Sequence, residues 1–488
     1  MFDYIPAARR QNLHLYKYSG TDKSLVSKYV LGPWWNWLVT LFPLSVAPNT
    51  ITLSGLALVA INFGTLAYID PALQCATQLK LDSTAHTLAL REAYPHDALP
   101  VRNLFSNFAI PQPVQKVDFA PSSHSATCLP PWIFYTWAIC LFAYQSLDSI
   151  DGKQARRTGM AGPLGELFDH GCDAINTTLE CVLCAAALNL GRSWWAPASL
   201  VATLANFYLT TWEEYHTGTL YLSAFSGPVE GILMIVFIYA LTGFAGGPLF
   251  WDRGILNVTG LASINAVRER FAWLNLPLND AFLTFGAIGL GLNVVASYSN
   301  VVAARRERKQ SVIAPLSGLF PLVLQIAANL VWMAANRSFI LADTHAFLPF
   351  VGFWGITFAY NVGLLIVAHV TKAPFPYWNV ATAWSIVGAL DAILPHSIVQ
   401  RDPESTRMVV YVSLGFAAVL YLHFCHNVIT TITTEMGMAC FVVKTKKDAD
   451  TMPLTNTSPR VEDSTGAGGS RLGIPGRKRG HSDARKRF

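Results

Sequence analysis

The chain has 488 residues, of which 52% are hydrophobic and only 13% are charged, and its formal net charge is +5. Soluble globular domains carry about 25% charged residues, so this composition excludes an ordinary soluble protein and indicates a membrane protein. Its mean hydropathy is positive, at +0.35.

Residues 1–50 are predicted to form a cytosolic N-terminal segment. The stretch SLVSKYVLGPWWNWLVTLFP is aromatic and amphipathic up to its last proline, which favours a helix lying in the membrane interface. Gly32, Pro33 and Pro43 interrupt this stretch, so they disfavour the alternative of a short extra span. A secretory signal peptide is not expected, because the residues before the first span are polar and aromatic.

Segments of about 20 apolar residues, long enough to cross a bilayer as helix, recur along the rest of the chain. We therefore predict an all-α integral membrane protein with about ten transmembrane helices and an N-terminal interfacial amphipathic helix. The predicted spans are 51–70, 130–147, 173–191, 194–212, 227–247, 280–302, 313–335, 347–369, 378–395 and 408–431.

The spans are expected to form one transmembrane domain over residues 51–442. A polar loop at 71–129 lacks periodicity and is predicted to be lumenal and partly disordered. Residues 443–488 are rich in Ser, Thr, Gly and basic residues, so they are predicted to form a disordered basic cytosolic tail. Its basic runs are expected to set topology or to touch anionic lipid, and no nucleic-acid partner is expected.

The basic residues also predict the orientation of the chain in the bilayer. If the N-terminus is cytosolic, ten spans return the C-terminus and the loop with Arg305 and Arg306 to the same side. The loops at 71–129 and 248–279 are sparse in Lys and Arg, as the positive-inside rule expects of the opposite face. Residues 148–173 then lie at the cytosolic face, and Asn257 and Asn336 begin predicted lumenal glycosylation acceptors.

The eight cysteines are scattered and do not form a disulfide framework. Cys75 and Cys128 fall in the same predicted lumenal loop and can pair if that compartment is oxidising. Cys181 and Cys184 form a C-x-x-C within an apolar helix, without a second ligand pair, so a zinc or redox site is not expected there.

Residues 148–173, DSIDGKQARRTGMAGPLGELFDHGCD, place a dense cluster of charge between two apolar segments. They include five carboxylates, three fixed cations and one histidine. A carboxylate at mid-membrane costs about 2.5–3.5 kcal/mol on insertion scales, and clustered carboxylates repel one another. A bound divalent metal would compensate both effects, whereas the alternative is a solvated acidic loop.

The spacing of the aspartates favours the metal site. On a helix, Asp148 and Asp151 are three residues apart, and Asp169 and Asp173 are four apart, so each pair projects from one helical face. Two facing pairs make an all-oxygen pocket, the ligand type that Mg²⁺ or Mn²⁺ prefers. Gly152 removes a side chain where a ligand needs close approach.

Glycine and proline residues separate the two pairs. Gly159, Gly162, Pro163 and Gly165 are predicted to break the helix and let the chain turn back, so that the pairs face each other.

The whole stretch fits the pattern D-x2-D-G-x2-A-R-x8-G-x3-D-x3-D at every fixed position. This pattern resembles that of the CDP-alcohol phosphotransferase family. The segments YKYSGTDKSLVSKYVLGPWWNW, APNTITLSG and WEEYHTGTLYLSAFSGPVEG are similar to those of its eukaryotic choline and ethanolamine phosphotransferase branch, and the resemblance covers roughly residues 14–440. The long loop at 71–129 departs from the family, whose first two spans are usually joined more briefly.

The resemblance implies transfer of phosphocholine or phosphoethanolamine from CDP-choline or CDP-ethanolamine to the hydroxyl of 1,2-diacylglycerol, with release of CMP. It also implies two divalent ions, Mg²⁺ or Mn²⁺, in a bilayer enzyme of the endoplasmic reticulum, or of the Golgi, whose active site faces the cytosol. The implied metal ligands are Asp148, Asp151, Asp169 and Asp173, and the implied contacts to the CDP-alcohol are Asn49, Gly152, Ala155 and Arg156.

His170 is predicted to be the general base that takes the acceptor's proton. It lies beside the metal ligands, and the usual histidine pKa near 6.5 suits proton abstraction near neutrality. Glu166 lies four residues earlier on the same helical face, where it is expected to orient the ring. Some family members lack a histidine at this position, and Asp173 is then the alternative base. A helix-cap or surface histidine is the non-catalytic alternative.

Polar and aromatic residues also cluster at the cytosolic end of span four. Glu213, Glu214 and His216 are expected within reach of a headgroup. Trp212 and Tyr215 can stack on a quaternary ammonium, although an interfacial aromatic belt explains both rings equally well.

Three alternative functions remain at this point. A secondary transporter is disfavoured, because paired halves with corresponding broken helices are not evident. The same chemistry on another acceptor, such as inositol or serine, differs from our prediction only in its substrate. A catalytically inactive scaffold is disfavoured because every ligand position is present. The oligomeric state is left open, with a homodimer as one arrangement.

Overall fold

The predicted spans fall on ten helices. The computed structural model describes residues 3–22, 24–73, 75, 129–222, 228–336 and 339–443. Within this part of the chain, every helix of 14 or more residues matches a predicted apolar segment, so the all-α fold class is confirmed. The helices are α1 (Pro48–Ile69), α2 (Pro131–Thr158), α3 (Pro163–Ala187), α4 (Trp195–Thr217), α5 (Pro228–Phe244), α6 (Leu278–Glu307), α7 (Phe320–Ala335), α8 (Phe347–Val370), α9 (Val380–Ile393) and α10 (Pro403–Met436).

Five segments of the described chain are long and apolar enough to cross a membrane. They are α1, α6, α8, α10 and Ala314–Ala335, which joins a 3-10 turn to α7. Helices α5 and α9 are apolar but shorter. The helices α2, α3 and α4 each carry charged residues toward one end, so only part of each is apolar. The predicted span 130–147, for example, covers only the first part of α2.

A tight turn joins the two helices that carry the aspartate pairs. α2 ends at Gly159, which has a φ of +71°, a left-handed conformation that glycine adopts without steric cost. α3 begins at Pro163, where the missing N–H costs nothing and the fixed φ suits the first helical turn. The predicted break between the aspartate pairs is therefore present.

α8 is the most deeply buried of the apolar helices. Its apolar window is 83% buried within the protein, and α8 packs against α3, α4 and α10. The side chains of Phe350, Phe353, Trp354 and Phe358 are fully buried along it. This packing brings the end of α8 beside the first turn of α3 and the last turn of α4.

The N-terminal residues lie across one end of the helical bundle. The strand β1 (Gly20–Asp22) pairs in parallel with β2 (Leu220–Leu222), which directly follows α4. The side chain of Asn12 donates a hydrogen bond of 2.7 Å to the carbonyl oxygen of Thr371, just beyond α8. The N-terminal segment contains the short helices Ala7–Arg10 and Gln11–Leu15, and extended chain follows them. The N-terminal segment therefore reaches the same end of the bundle as residues 148–173.

The predicted interfacial helix corresponds to a short helix just before α1. A π-helical turn, an α-helix and a 3-10 turn follow one another at Ser27–Leu31, Gly32–Leu38 and Val39–Leu41. Trp35 is buried, while Trp34 and Trp37 are 37% and 52% exposed. An aromatic outer face of this kind is typical of a helix at a membrane surface.

This segment is fastened to the charged end of α2. The indole nitrogen of Trp34 donates a hydrogen bond of 3.1 Å to Ser146. The amide of Gln154 donates hydrogen bonds of 2.9 Å to the carbonyl oxygens of both Pro43 and Val46. The entry segment thereby fixes the part of α2 that carries Asp148 and Asp151.

The predicted lumenal loops differ in how much of them is described. Cys75 is disulfide-bonded, whereas Cys128 and most of the 71–129 loop lie outside the described residues. The loop between α5 and α6 folds into short helical segments at Pro248–Asp252, Ile255–Val258, Leu261–Ser263, Asn265–Arg270 and Ala272–Leu274. The predicted tail lies outside the described residues from position 444 onward.

We expect Gly388→Ala to destabilise the protein. Gly388 of α9 lies so close to the buried ring of Trp332 that an added methyl group would overlap it. Overpacking of this kind costs about 1–3 kcal/mol. The thermal midpoint in detergent should fall. Gly415→Ala on α10 is the matched control, because no atom lies within 4 Å of its added Cβ. Equal midpoints for the two variants would contradict this packing.

We expect N-linked glycosylation at Asn257 and none at Asn336. Asn257 is exposed, whereas Asn336 is only 7% exposed and its amide donates a 2.9 Å hydrogen bond to Gln400. After expression in eukaryotic cells, Asn257→Gln should abolish a glycosidase-sensitive mobility shift that Asn336→Gln retains. A shift that depends on Asn336 would contradict the burial of its side chain, and glycan on a site introduced near Arg306 would contradict the predicted topology.

Candidate active site at the junction of α2 and α3

Three of the four predicted metal ligands converge. The carboxylates of Asp148 and Asp151 on α2 and of Asp169 on α3 each offer an oxygen within 4.8 Å of the others. The Oδ1 atoms of Asp148 and Asp169 are buried and have no hydrogen-bond partner. Buried carboxylate oxygens without donors are ready ligands for a hard divalent cation such as Mg²⁺ or Mn²⁺. The residues therefore fit a metal site.

Asp173 lies at the edge of this cluster. Burial, followed by the negative charges of Asp173 and Asp151, raises the pKa of Asp148, so Asp173 is within electrostatic reach of Asp148. Its Oδ1 atom accepts a hydrogen bond from the hydroxyl of Tyr144. Asp173 is thus near the cluster but does not belong to the compact group of three carboxylates.

The electrostatics of the cluster favour cation binding. Residues 148–172 lie between the second and third predicted spans. Burial raises the pKa of Asp151 to about 7, although a hydrogen bond from Thr52 acts against this rise. Burial and the charges of Asp151 and Asp148 also raise the pKa of Asp169. In the described part of the chain, lysine or arginine forms no salt bridge with these carboxylates, so a bound cation would lower all of these pKa values.

Two hydroxyl groups that sequence analysis missed hold the carboxylates in place. Thr52 of α1 donates a hydrogen bond to Oδ2 of Asp151, and Tyr144 holds Asp173 in the same way. Thr52 lies within the APNTITLSG segment, three residues after Asn49, which was the available signal. Tyr144 lies in an apolar run, where nothing distinguishes it from a packed aromatic residue.

The residues predicted to bind the CDP-alcohol lie near the ends of α1 and α2. Asn49 is 4% exposed, and its amide donates a hydrogen bond of 3.1 Å to the carbonyl oxygen of Cys440. Arg156 is exposed and bends back, so that a Cβ added at Gly152 would lie 3.7 Å from its guanidinium. Ala155 is buried. The guanidinium of Arg156 therefore lies beside Gly152, which adjoins Asp151 in the chain.

His170 and Glu166 do not form the expected pair. Burial, helped by the charge of His369, lowers the pKa of His170 to about 4, so its ring is neutral near pH 7. Glu166 is 7% exposed, and neither of its carboxylate oxygens has a hydrogen-bond partner. Its carboxylate lies near the carboxylate of Glu214 and the imidazole of His369 instead. α4 contributes Glu214 and α8 contributes His369, so both neighbours of Glu166 come from other helices.

The two aromatic residues at the end of α4 that are predicted to stack on an ammonium are hydrogen-bonded to backbone carbonyl groups. Trp212 is 1% exposed, and its indole nitrogen donates a 2.9 Å hydrogen bond to the carbonyl oxygen of Pro315. The hydroxyl of Tyr215 donates a 2.9 Å hydrogen bond to the carbonyl oxygen of Ala373. The structure therefore does not bring these two rings together as a cage for a quaternary ammonium.

Comparison with known proteins agrees with this site. The family model described as CDP-alcohol phosphatidyltransferase matches residues 123–264, a range that contains the whole charged stretch. A CDP-alcohol phosphatidyltransferase class-I family protein of Schizosaccharomyces pombe is 38% identical, with 90% of this chain and 97% of the relative aligned.

Two relatives from Saccharomyces cerevisiae have more specific names. Choline/ethanolaminephosphotransferase 1 is 33% identical, and cholinephosphotransferase 1 is 30% identical. Each alignment covers 91% of this chain and 99% of the relative. The family predicted from the aspartate pattern is confirmed. Because these similarities extend over nearly the whole chain, this protein belongs to the CDP-alcohol phosphatidyltransferase family.

Proposed function

We propose that this protein transfers phosphocholine, phosphoethanolamine or both from the CDP-alcohol to the hydroxyl of 1,2-diacylglycerol. The products are CMP and phosphatidylcholine or phosphatidylethanolamine. The observation that carries this proposal is the cluster of Asp148, Asp151 and Asp169, whose carboxylate oxygens lie within 4.8 Å of one another. Relatives named choline/ethanolaminephosphotransferase in yeast and Arabidopsis thaliana support the choice of donor.

The proposed cofactor is a pair of Mg²⁺ or Mn²⁺ ions. Asp148, Asp151 and Asp169 would hold them, with Asp173 as the fourth ligand. When bound, such ions would neutralise the donor's diphosphate and stabilise the leaving phosphate of CMP. The hydrogen bond that Thr52 donates to Asp151 keeps one ligand oriented, and oriented ligands cost less to assemble around an ion.

Arg156 and Asn49 are proposed to bind the donor. A guanidinium can form two parallel hydrogen bonds to phosphate oxygens, and that of Arg156 lies beside Gly152. The amide of Asn49 donates to Cys440 in this structure, so nucleotide binding would exchange that hydrogen bond for one to the donor. The glycine and Ala155 keep this side of α2 free of larger side chains.

His170 is proposed as the general base. It adjoins Asp169 in the chain, and its neutral imidazole has a nitrogen lone pair able to accept the proton of the diacylglycerol hydroxyl. Asp173 remains the alternative base. Glu166 makes no hydrogen bond to His170 in this structure, so an orienting role for it requires a change of rotamer.

The proposed setting is the endoplasmic reticulum membrane with the active site facing the cytosol. Residues 1–50 would form the cytosolic entry segment, 51–442 the transferase domain and 443–488 the basic tail. The basic loop at Arg305–Lys309 and the N-terminal segment both lie at the α2–α3 end of the bundle, which supports this orientation. A homodimer is the proposed assembly.

Purified protein should form phospholipid from diacylglycerol and labelled CDP-choline or CDP-ethanolamine when Mg²⁺ or Mn²⁺ is present. EDTA should abolish product and CMP release, and added metal should restore both, because the carboxylate cluster needs a cation to accept a diphosphate. Reactions supplying inositol or serine with CDP-diacylglycerol are the control. Product only from those substrates would contradict the proposed donor and acceptor.

Asp169→Asn and His170→Ala should lower turnover for different reasons. We expect His170→Ala to lower kcat by about 10²–10⁴-fold, the usual contribution of a general base, with Mn²⁺ binding retained. Asp169→Asn should also abolish turnover and should weaken Mn²⁺ binding, measured by electron paramagnetic resonance of the free ion. A near-normal kcat in His170→Ala would contradict the assignment of His170 and would indicate that Asp173 is the base.

A further inference from the structure

A second cluster of ionisable groups lies beside the aspartates. Glu166 of α3, Glu214 of α4 and His369 of α8 offer ligand atoms within 4.8 Å of one another. Glu166 and Glu214 are only 7% and 3% exposed. We refer to these three residues as the carboxylate–imidazole cluster.

The acidic groups of this cluster lack a cationic partner. Neither carboxylate oxygen of Glu166 has a hydrogen-bond partner. Among the described residues, lysine and arginine form no salt bridge with Glu166 or Glu214, and His369 forms none either. Burial raises the pKa of Glu214 to about 8. Buried carboxylates without a partner are costly, so the cluster is suited to a ligand with a positive charge.

The spacing of the cluster indicates which kind of cation fits. His369 lies more than 4.0 Å from both carboxylates but within 4.8 Å of them. Acceptors bound to one ammonium by N–H···O bonds of about 2.8 Å lie about 4.6 Å apart at tetrahedral angles. Adjacent ligands of a divalent ion, at about 2.1 Å from the metal, lie only about 3 Å apart. The separation between the imidazole nitrogen and each carboxylate oxygen is therefore closer to the ammonium spacing than to that of adjacent metal ligands.

The cluster and the aspartates share helix α3. Glu166 precedes Asp169 and His170 by one helical turn on the same face of α3, a rise of about 5.4 Å. Burial and then the charges of Glu214 and Asp169 raise the pKa of Tyr18 to about 12, so Tyr18 is within electrostatic reach of both clusters. Only two carbons separate the phosphate from the ammonium group of the donor, so one donor needs neighbouring sites for the two groups.

We infer, on the basis of the proposed function, that the carboxylate–imidazole cluster binds the ammonium group of the donor and favours a primary ammonium. A primary ammonium has three N–H donors, which match two carboxylates and one imidazole nitrogen. A quaternary ammonium has none and is best bound by aromatic faces. Trp212 and Tyr215 donate hydrogen bonds to the carbonyl oxygens of Pro315 and Ala373. The ring of Tyr16 contacts His369 edge-on, with 6.4 Å between the ring centroids.

Glu214→Gln tests this inference through the affinity for each donor. Calorimetry without diacylglycerol measures binding of CDP-ethanolamine, CDP-choline and CDP, and assays with diacylglycerol measure KM and kcat. The wild type should bind CDP-ethanolamine more tightly than CDP-choline. Glu214→Gln should weaken CDP-ethanolamine binding at least tenfold and raise its KM equally, because a charge-assisted hydrogen bond is lost. CDP binding should be unchanged, because CDP lacks the ammonium group.

Two further variants complete the experiment. Glu180→Gln is the matched control, because this buried carboxylate of α3 accepts a 2.7 Å hydrogen bond from Tyr239 and lies outside both clusters. His369→Gln should reproduce part of the loss, and it replaces Glu214→Gln if that variant does not fold. Equal effects on CDP-ethanolamine and CDP-choline, or no effect on either, would overturn the inference.

The outcomes separate this inference from the proposed function. If the wild type binds CDP-ethanolamine through Glu214 but forms no phospholipid, the proposed function fails and the cluster assignment stands. If the wild type forms phospholipid while Glu214→Gln leaves donor binding unchanged, only the cluster assignment fails. A lower Mn²⁺ stoichiometry in Glu214→Gln would identify the cluster as a metal site and would also overturn the inference.

Discussion

The close approach of three like charges is the constraint on which the active site depends. Asp148, Asp151 and Asp169 repel one another, so the protein must hold them together by packing and hydrogen bonds until a cation binds. The turn between α2 and α3 sets the two helices face to face, and Thr52 of α1 restrains Asp151. The helices around this turn therefore hold together carboxylates whose charge a bound cation would neutralise.

The carboxylate–imidazole cluster lies at the same end of the bundle as the aspartates. The N-terminal segment also reaches this end. α3 contributes Asp169 to one cluster and Glu166 to the other, one turn apart. The N-terminal residues reach this end through β1 and through the hydrogen bond from Asn12 to the end of α8. A donor with a diphosphate at one end and an ammonium at the other matches this order of an aspartate cluster followed by a carboxylate–imidazole cluster.

Much of the architecture could be predicted, because its signals are local. Apolar length located the ten long helices of the described residues, and glycine and proline marked the break between the aspartate pairs. The predicted hydrogen bond between Glu166 and His170 is absent from this structure, because a spacing of four residues shows only that two side chains share a helical face. Which groups lie opposite that face depends on α4 and α8, and Glu214 and His369 are distant from Glu166 in the chain.

Sequence by itself determined the membrane class, the helices, the family and the aspartates that could bind metal, because hydropathy and fixed spacing are properties of the chain. Tertiary structure decided which of these groups meet. It joined three aspartates compactly, placed Asp173 against Tyr144, and gave Glu166 new partners. The physical reason is that contacts between helices depend on packing angles and rotamers, which positions along one chain do not specify.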